Sequence, residues 1–160
     1  MTGENRAVVI TCSTRAAGGV YPDRSGPLIV DALRIWGFEV GDAVVVADGP
    51  DVEAALRSAI LRDVVLVVTT GGTGLTPTDG TPEATLRVVD RLVPGIAEAI
   101  RSAGVDAGVS SAMLSRGISG VAGRTLVVNL PGSMGGVTNG LAVLEPVVAH
   151  AVSQIQGGDH

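Results

Sequence analysis

The residues of this chain best suited to chemistry lie between positions 64 and 85, VVLVVTTGGTGLTPTDGTPEAT, where an apolar run gives way to Gly71, Gly72 and Gly74 and then to Asp79. Main-chain N–H groups at glycines can approach a phosphate closely and take backbone angles that other residues resist. Thr81 is placed to cap the helix that follows, with Pro82 at its first position and Glu83 near the positive end of its dipole. Thr70, Gly71, Gly72, Thr73 and Gly74 thus form a candidate phosphate loop at a strand's carboxyl end, where open α/β sheets bind ligands. A tight turn without a ligand is the competing reading. The loop has no GK[ST] ending, so it is not a Walker A loop, and its spacing does not fit G-x-G-x-x-G. Asp79 either shares a Mg²⁺ with phosphate oxygens or belongs to an ordinary Asp-Gly turn with Gly80.

Strands alternating with helices must position that loop. Val64 to Thr69 is short, β-branched and bounded by turn residues, as expected of a strand buried on both faces of a parallel sheet. Ala7 to Cys12 and Val44 to Ala47 read as two earlier strands. A Gly-, Ser- and Arg-rich loop spans Ser13 to Gly26, and a helix runs from Pro27 to Trp36, ended by Gly37. Asp51 to Leu61 is a helix whose Val52, Ala55, Leu56, Ala59 and Ile60 share one face. Helices are expected from Pro82 to about Leu92 and from Pro94 to Ala103, with Gly104 as carboxyl cap. Val121 and Thr125 to Leu130 flank a bend at Ala122-Gly123-Arg124, and helical sequence then reaches Gln156, with a break or kink at Pro146. The pattern predicts one domain over residues 1–160, a three-layer α/β/α fold with a mostly parallel central sheet.

Composition narrows the chemistry. The 160 residues include 11 arginines and no lysine, which excludes Schiff-base chemistry and the usual P-loop NTPase. Of the two histidines, His150 lies in an apolar helix and His160 is terminal, so histidine metal sites and Ser-His triads lack support. A net charge of −5 with one Tyr, one Trp and one Phe leaves neither a basic face nor a stacking platform, so nucleic acid is not an expected partner. Residues 125 to 144 carry no charge, but Asn129, Pro131, Asn139 and several glycines interrupt them, so no membrane span is expected. The amino end has no secretory pattern and Cys12 is the single cysteine, which predicts a cytoplasmic protein without disulfides.

Three turn-rich loops follow strand ends: Ala47-Asp48-Gly49, the TGGTG loop, and Asn129 to Ser133. If those strands are neighbours the loops converge, and Asp48 and Asp79 together with phosphate oxygens would hold Mg²⁺. Asp48 has a second reading as the cap of the helix entered through Gly49-Pro50.

These pieces resemble the MogA/MoaB molybdopterin adenylyltransferases, whose fold is also that of the gephyrin and plant Cnx G domains. The resemblance runs nearly end to end, through Thr70 to Gly74 with Asp79, Thr81-Pro82-Glu83-Ala84-Thr85, Pro94-Gly95, Leu114-Ser115-Arg116 and Asn129-Leu130-Pro131-Gly132. Gly19-Val20-Tyr21 and Val121-Ala122-Gly123 look closest to the bacterial Mog branch. The resemblance implies attack of the pterin's terminal phosphate on the α-phosphorus of Mg-ATP, giving adenylyl-molybdopterin and pyrophosphate in molybdenum cofactor biosynthesis. It also implies a homotrimer and a molybdenum insertase (MoeA-like) as a possible recipient of the product. Carried over by residue, Asp48 and Asp79 become the catalytic, metal-binding carboxylates. Gly71, Gly72, Thr73 and Gly74 cradle phosphate with Thr70 beside them, Ser115 and Arg116 join the site, and Asn129, Pro131, Gly132 and Ser133 complete it; Ser13 and Arg15 lie in a loop that reaches the ligand or is merely solvated. The chain departs from the family at Thr78, where a basic residue is often found, and at Thr14, where an Asp is. Arg15, Arg24 or Arg116 is then the candidate to compensate phosphate charge. A pterin carrier without catalysis and an insertase acting on the adenylylated product are the rival functions.

Overall fold

The computed structural model describes residues 5–159. Strands and helices alternate along the chain: β1 (Arg6–Cys12), α1 (Thr14–Ala17), α2 (Ser25–Ile35), β2 (Glu39–Val40), β3 (Val44–Val46), α3 (Pro50–Leu61), β4 (Leu66–Thr70), α4 (Thr81–Leu86), β5 (Arg91–Leu92), α5 (Pro94–Asp106), β6 (Ser119–Ala122), β7 (Thr125–Leu130) and α6 (Met134–Ile155). A 3₁₀ turn occupies Ser110–Leu114.

Every residue of β4 and β7 is buried, as sequences that are apolar or β-branched at every position but Asn129 require of strands covered by helices on both faces. The sheet runs β2-β1-β4-β7-β6-β5, with β3 also paired to β1. β2, β3, β4 and β7 pair in parallel, and only β6 runs against its neighbours. One face packs Ile29, Leu33, Ile100, Leu141 and Leu144 against β1, β4 and β7; the other packs Val52, Leu56 and Ala84 against the alternate residues of the same strands. This is the three-layer, mostly parallel α/β fold expected.

Register is what matters for function. Thr11 pairs with Thr70 and Thr70 with Leu130, while Cys12 pairs with Val46, so β1, β3, β4 and β7 all end at one edge of the sheet. Their four following loops meet there.

Several local expectations are corrected. The helix placed from Pro82 to Leu92 stops at Leu86, because the segment after it is captured by the sheet: Asp90 N–H donates to Val121 C=O at 2.8 Å and Val93 N–H to Ser119 C=O at 2.9 Å. The β-branched Val88 and Val89 favour that outcome. Thr81 does not cap α4; it is the first helical residue, Gly80 holds the cap position, and the Thr81 side chain is buried. Gly104 lies inside α5, facing Ala112, whose Cβ would be 2.4 Å from a Cβ at that position; Gly108, at φ +92°, follows the helix end instead. α2 begins at Ser25, two residues ahead of Pro27. α6 continues through Pro146, which sits on its exposed face together with Ala142, so water can reach the carbonyl left without a donor.

Candidate active site

Asp48 follows β3 and does not cap α3, whose cap position is Gly49 and has no side-chain hydrogen bond. Its carboxylate serves another element. Asp48 Oδ2 accepts from Thr14 N–H at 3.3 Å and from Thr14 Oγ1–H at 3.1 Å, and Asp48 N–H donates to Thr14 Oγ1 at 3.1 Å. Oδ1 is buried without a hydrogen-bond partner, as is Thr81 Oγ1. Both oxygens flank Gly72: a Cβ there would lie 2.3 Å from Thr81 Oγ1 and 2.9 Å from Asp48 Oδ1. Gly72 and Gly71 have φ of +67° and +89°, so the two positions need glycine for backbone and for space alike.

The glycine loop has a defined donor set. Gly71 N–H is already engaged by Leu130 C=O at 3.2 Å, whereas the N–H groups of Gly72, Thr73 and Gly74 have no acceptor among the described residues. Those three are the donors left for an anion. Asp79 closes the loop on itself: Oδ2 accepts from Thr76 N–H at 3.1 Å, and Asp79 N–H donates to Thr76 C=O at 3.1 Å. A Cβ on Gly74 would lie 2.8 Å from Asp79 Oδ2, so that glycine too makes room for a carboxylate.

Arg116 stands behind this loop. It donates to Gly74 C=O (2.9 Å), Asp79 C=O (2.9 Å) and Glu83 Oε1 (2.5 Å), and lines neither cavity at the loop. Its guanidinium therefore clamps the loop from Gly74 to Glu83 in place of facing a phosphate, and it holds the Glu83 carboxyl below the usual range. Asn129 is likewise internal: its amide accepts from Ile118 N–H at 3.1 Å and donates to Thr69 Oγ1 at 2.9 Å and Thr85 Oγ1 at 3.1 Å. It ties β4, β7 and α4 together, with both amide N–H donors engaged inside the fold.

Two cavities of about 620 and 400 Å³ meet at the loop and share Gly71, Gly72, Asp79 and Gly132. The larger is lined by Asp48, Thr70, Ser13, Tyr21, Asp23 and Arg24; the smaller by Thr73, Gly74, Ser115, Pro131, Ser133 and Asn139. Thr70 Oγ1 also donates to Pro131 C=O at 2.7 Å, fastening the two loops to each other. Ser133 caps α6 by accepting from Gly136 N–H at 3.0 Å. Arg15 is exposed on α1 and borders neither cavity, whereas Arg24 borders the larger one and pairs with no acid among the described residues.

Sequence reasoning missed Asp23, which accepts from Thr11 Oγ1–H at 2.8 Å and from Gly26 N–H at 3.1 Å and so ties the first turn of α2 to the end of β1 at the cavity wall. An Asp three residues before the glycine of an apolar helix is a helix-start signal, obscured by starting that helix at Pro27. Asn139 was missed because nothing in the sequence marks one turn of α6 as facing a cavity. Cys12 also borders the larger cavity; burial pushes its thiol up to about 11, the Thr81 hydroxyl partly offsetting and the Asp48 charge adding to the rise. That weak sulfur contact leaves Thr81 Oγ1 without an ordinary hydrogen bond.

The same architecture occurs in known proteins. The chain matches the family described as a probable molybdopterin binding domain over residues 8–150. It is 53% identical to the molybdopterin biosynthesis Mog protein of Mycobacterium ulcerans, superposing with a TM-score of 0.90 over 94% of this chain and 99% of that one. The chain belongs to the MogA/MoaB family. Among curated members it is 34% identical to the molybdopterin adenylyltransferase of Helicobacter pylori strain J99, over 93% of this chain and 86% of that protein. It is 42% identical to the molybdenum cofactor biosynthesis bifunctional protein of Synechococcus elongatus, over 96% of this chain but 48% of the relative, so it spans about half the length of that protein.

A hard cation fits the MogA/MoaB site as this chain builds it. Asp48 Oδ1 is a buried carboxylate oxygen that lacks a partner, and an oxygen donor of that kind suits Mg²⁺. Among the described residues no group of three or more His, Cys, Asp or Glu side chains is placed to hold a metal. Phosphate oxygens and water would therefore complete the coordination.

Proposed function

We propose that this chain transfers AMP from Mg-ATP to the terminal phosphate of molybdopterin. The observation that carries the reading is the junction of two cavities at one loop that offers three free N–H donors, with a carboxylate on either side of it. A bisubstrate phosphoryl reaction needs two pockets meeting at the transferred group. The larger, more polar-lined cavity and the smaller one would each take one substrate, with the phosphates meeting over Gly72 to Gly74.

A phosphate oxygen of the pterin attacks the α-phosphorus, and the bond to the β-phosphate oxygen breaks to release pyrophosphate. The nucleophile is already anionic near neutral pH, so no protein base has to take a proton, which agrees with cavities lined by no lysine or histidine among the described residues. Mg²⁺ held by Asp48 and Asp79 would supply charge neutralisation at the phosphates. The chain's own residues align: loop N–H groups take phosphate oxygens, Arg24 compensates charge at the wall of the larger cavity, and Arg116 with Asn129 keeps the loops in register.

We further infer a cytoplasmic homotrimer acting as one domain, which hands its product to a molybdenum insertase. No helix among the described residues is long and apolar enough to cross a membrane. The test is a single-turnover assay with molybdopterin, Mg²⁺ and α-phosphate-labelled ATP, run beside Asp79→Asn. Label passing to the pterin, and lost by at least about a hundredfold in the variant, is the expected result. Folded protein that binds molybdopterin but transfers no label overturns the transferase reading in favour of a pterin carrier.

A further inference from the structure

We propose that Thr14 is a positioning residue for Asp48, fixing the carboxylate with Oδ1 against Gly72 at the phosphate loop; this rests on the reading of Asp48 as a Mg²⁺ ligand. Thr14 and Asp48 are 34 residues apart and are joined by three hydrogen bonds in a closed exchange. The Thr14 hydroxyl donates to Oδ2 and accepts from the Asp48 N–H, while the Thr14 N–H donates a second bond to Oδ2. Only a hydroxyl can fill both roles at once, so serine can replace threonine here and valine cannot.

The position of Thr14 is set by the sheet. Ser13 N–H donates to Val46 C=O at 2.9 Å, directly continuing the β1–β3 pairing that ends at Cys12 and Val46. An exposed residue on a four-residue helix thereby acquires a fixed place. Asp48 makes no other side-chain hydrogen bond among the described residues, and its Oδ1 is buried with no partner. An unpartnered buried carboxylate oxygen is costly, and a free side chain would turn towards water. Thr14 is what prevents that turn. The carboxylate is thus held ready for a cation before one arrives, at the expense of an unsatisfied oxygen in its absence.

The experiment measures Mn²⁺ binding to the full chain by the electron paramagnetic resonance signal of free Mn²⁺, for wild type, Thr14→Val, Thr14→Ser and Asp48→Asn. Adenylyl transfer is titrated with Mg²⁺ in parallel, and thermal unfolding is recorded for each protein. Thr14→Val is expected to bind Mn²⁺ about tenfold more weakly, the scale of one charge-assisted hydrogen bond, and to need correspondingly more Mg²⁺ for half-maximal transfer. Its melting temperature stays at the wild-type value, and Thr14→Ser recovers the affinity. A merely structural role would move the melting temperature and leave Mn²⁺ affinity alone. Thr14→Val binding Mn²⁺ as tightly as wild type, or more tightly, overturns the proposal, as does unchanged binding by Asp48→Asn. Wild-type protein that transfers no AMP, yet binds Mn²⁺ in a manner dependent on Thr14 and Asp48, overturns the transferase reading and leaves the positioning role standing.

Discussion

Replacing Gly72 with alanine separates the demands that this site makes on its backbone from those it makes on its chemistry. A Cβ there meets Thr81 Oγ1 at 2.3 Å and Asp48 Oδ1 at 2.9 Å, where ordinary contact begins near 3.4 Å. Neither neighbour can retreat freely. Thr81 N–H is bonded to Gly72 C=O at 3.1 Å, and Asp48 is held by Thr14. The left-handed backbone adds about 1 kcal/mol for a residue with a side chain, and overpacking adds about 1–3 kcal/mol. The sum, about 2–4 kcal/mol, corresponds to a fall of roughly 4–16 °C in melting temperature for a chain of this size. Because relief of the clash displaces the carboxylate proposed to hold Mg²⁺ by a large fraction of an ångström, transfer should fall by about a hundredfold. Gly71→Ala differs in kind: its Cβ would meet the main-chain oxygen of Cys12 at 2.4 Å, inside the sheet, and no side chain can rotate away. That variant should lose more stability than Gly72→Ala. Gly95→Ala, with open space and an ordinary φ, is the control and should change stability by no more than about 1 kcal/mol. Urea and thermal unfolding together with the transfer assay decide the matter. Gly72→Ala melting within about 2 °C of wild type and retaining transfer within about threefold would refute the reasoning.

Arg116→Ala should lower kcat by about ten- to a hundredfold through a misplaced Asp79 and lower the melting temperature. Arg24→Ala should raise the KM for ATP at unchanged stability, and steady-state kinetics with calorimetry would expose the reverse pattern. The Glu83–Arg116 ion pair is too exposed to contribute much by itself, at well under about 1 kcal/mol, so Glu83→Gln should be mild beside Arg116→Ala. Folding keeps the Cys12 thiol protonated up to about pH 11 against 9.0 ordinarily, so the unfolded chain releases its proton first. Stability is therefore complete below pH 9 and declines by about 2–3 kcal/mol as pH rises towards 11; urea titrations of wild type and Cys12→Ala should show that the slope disappears in the variant. Pro146→Ala, at an exposed position within α6, restores a helical N–H donor and should stabilise the fold by about 1–3 kcal/mol in chemical unfolding. A destabilised variant would mean that the proline is accommodated by something other than solvent.

What could be read in the sequence was whatever local physics dictates. The strand before the glycine loop announced itself by a β-branched run, and the bend at Gly123, with φ +60°, by a glycine between two apolar segments. The aspartates were legible as unusual carboxylates beside turn glycines. Their partners were not, because each lies across the fold: Asp48 finds Thr14, 34 residues away, and Arg116 finds Gly74, 42 away. The partners of Asn129 were hidden for the same reason. The family resemblance implied a pocket residue, and the register that pairs it with Thr69, with the approach of Thr85 from α4, engages both amide N–H groups inside the fold. The end of α4 was lost to strand pairing with β6, a long-range contact against which helix propensity is weak.

That division follows from the kind of chemistry proposed. An enzyme whose substrate brings its own nucleophile needs position more than reactivity, and position in this fold is set by strand register. Thr11, Thr70 and Leu130 lie level across three parallel strands, so a loop leaving any one of them starts from a coordinate fixed by the other two. The side chains nearest the proposed reaction are glycines, hydroxyls and two carboxylates, none reactive alone. The residues that hold them are themselves engaged: Asn129 and Asp23 with backbone and hydroxyl groups, and Arg116 with two carbonyls and the Glu83 carboxylate. Catalytic sensitivity should thus be spread over clamps and close approaches well outside the two aspartates, which is why a chain without lysine can serve such a site.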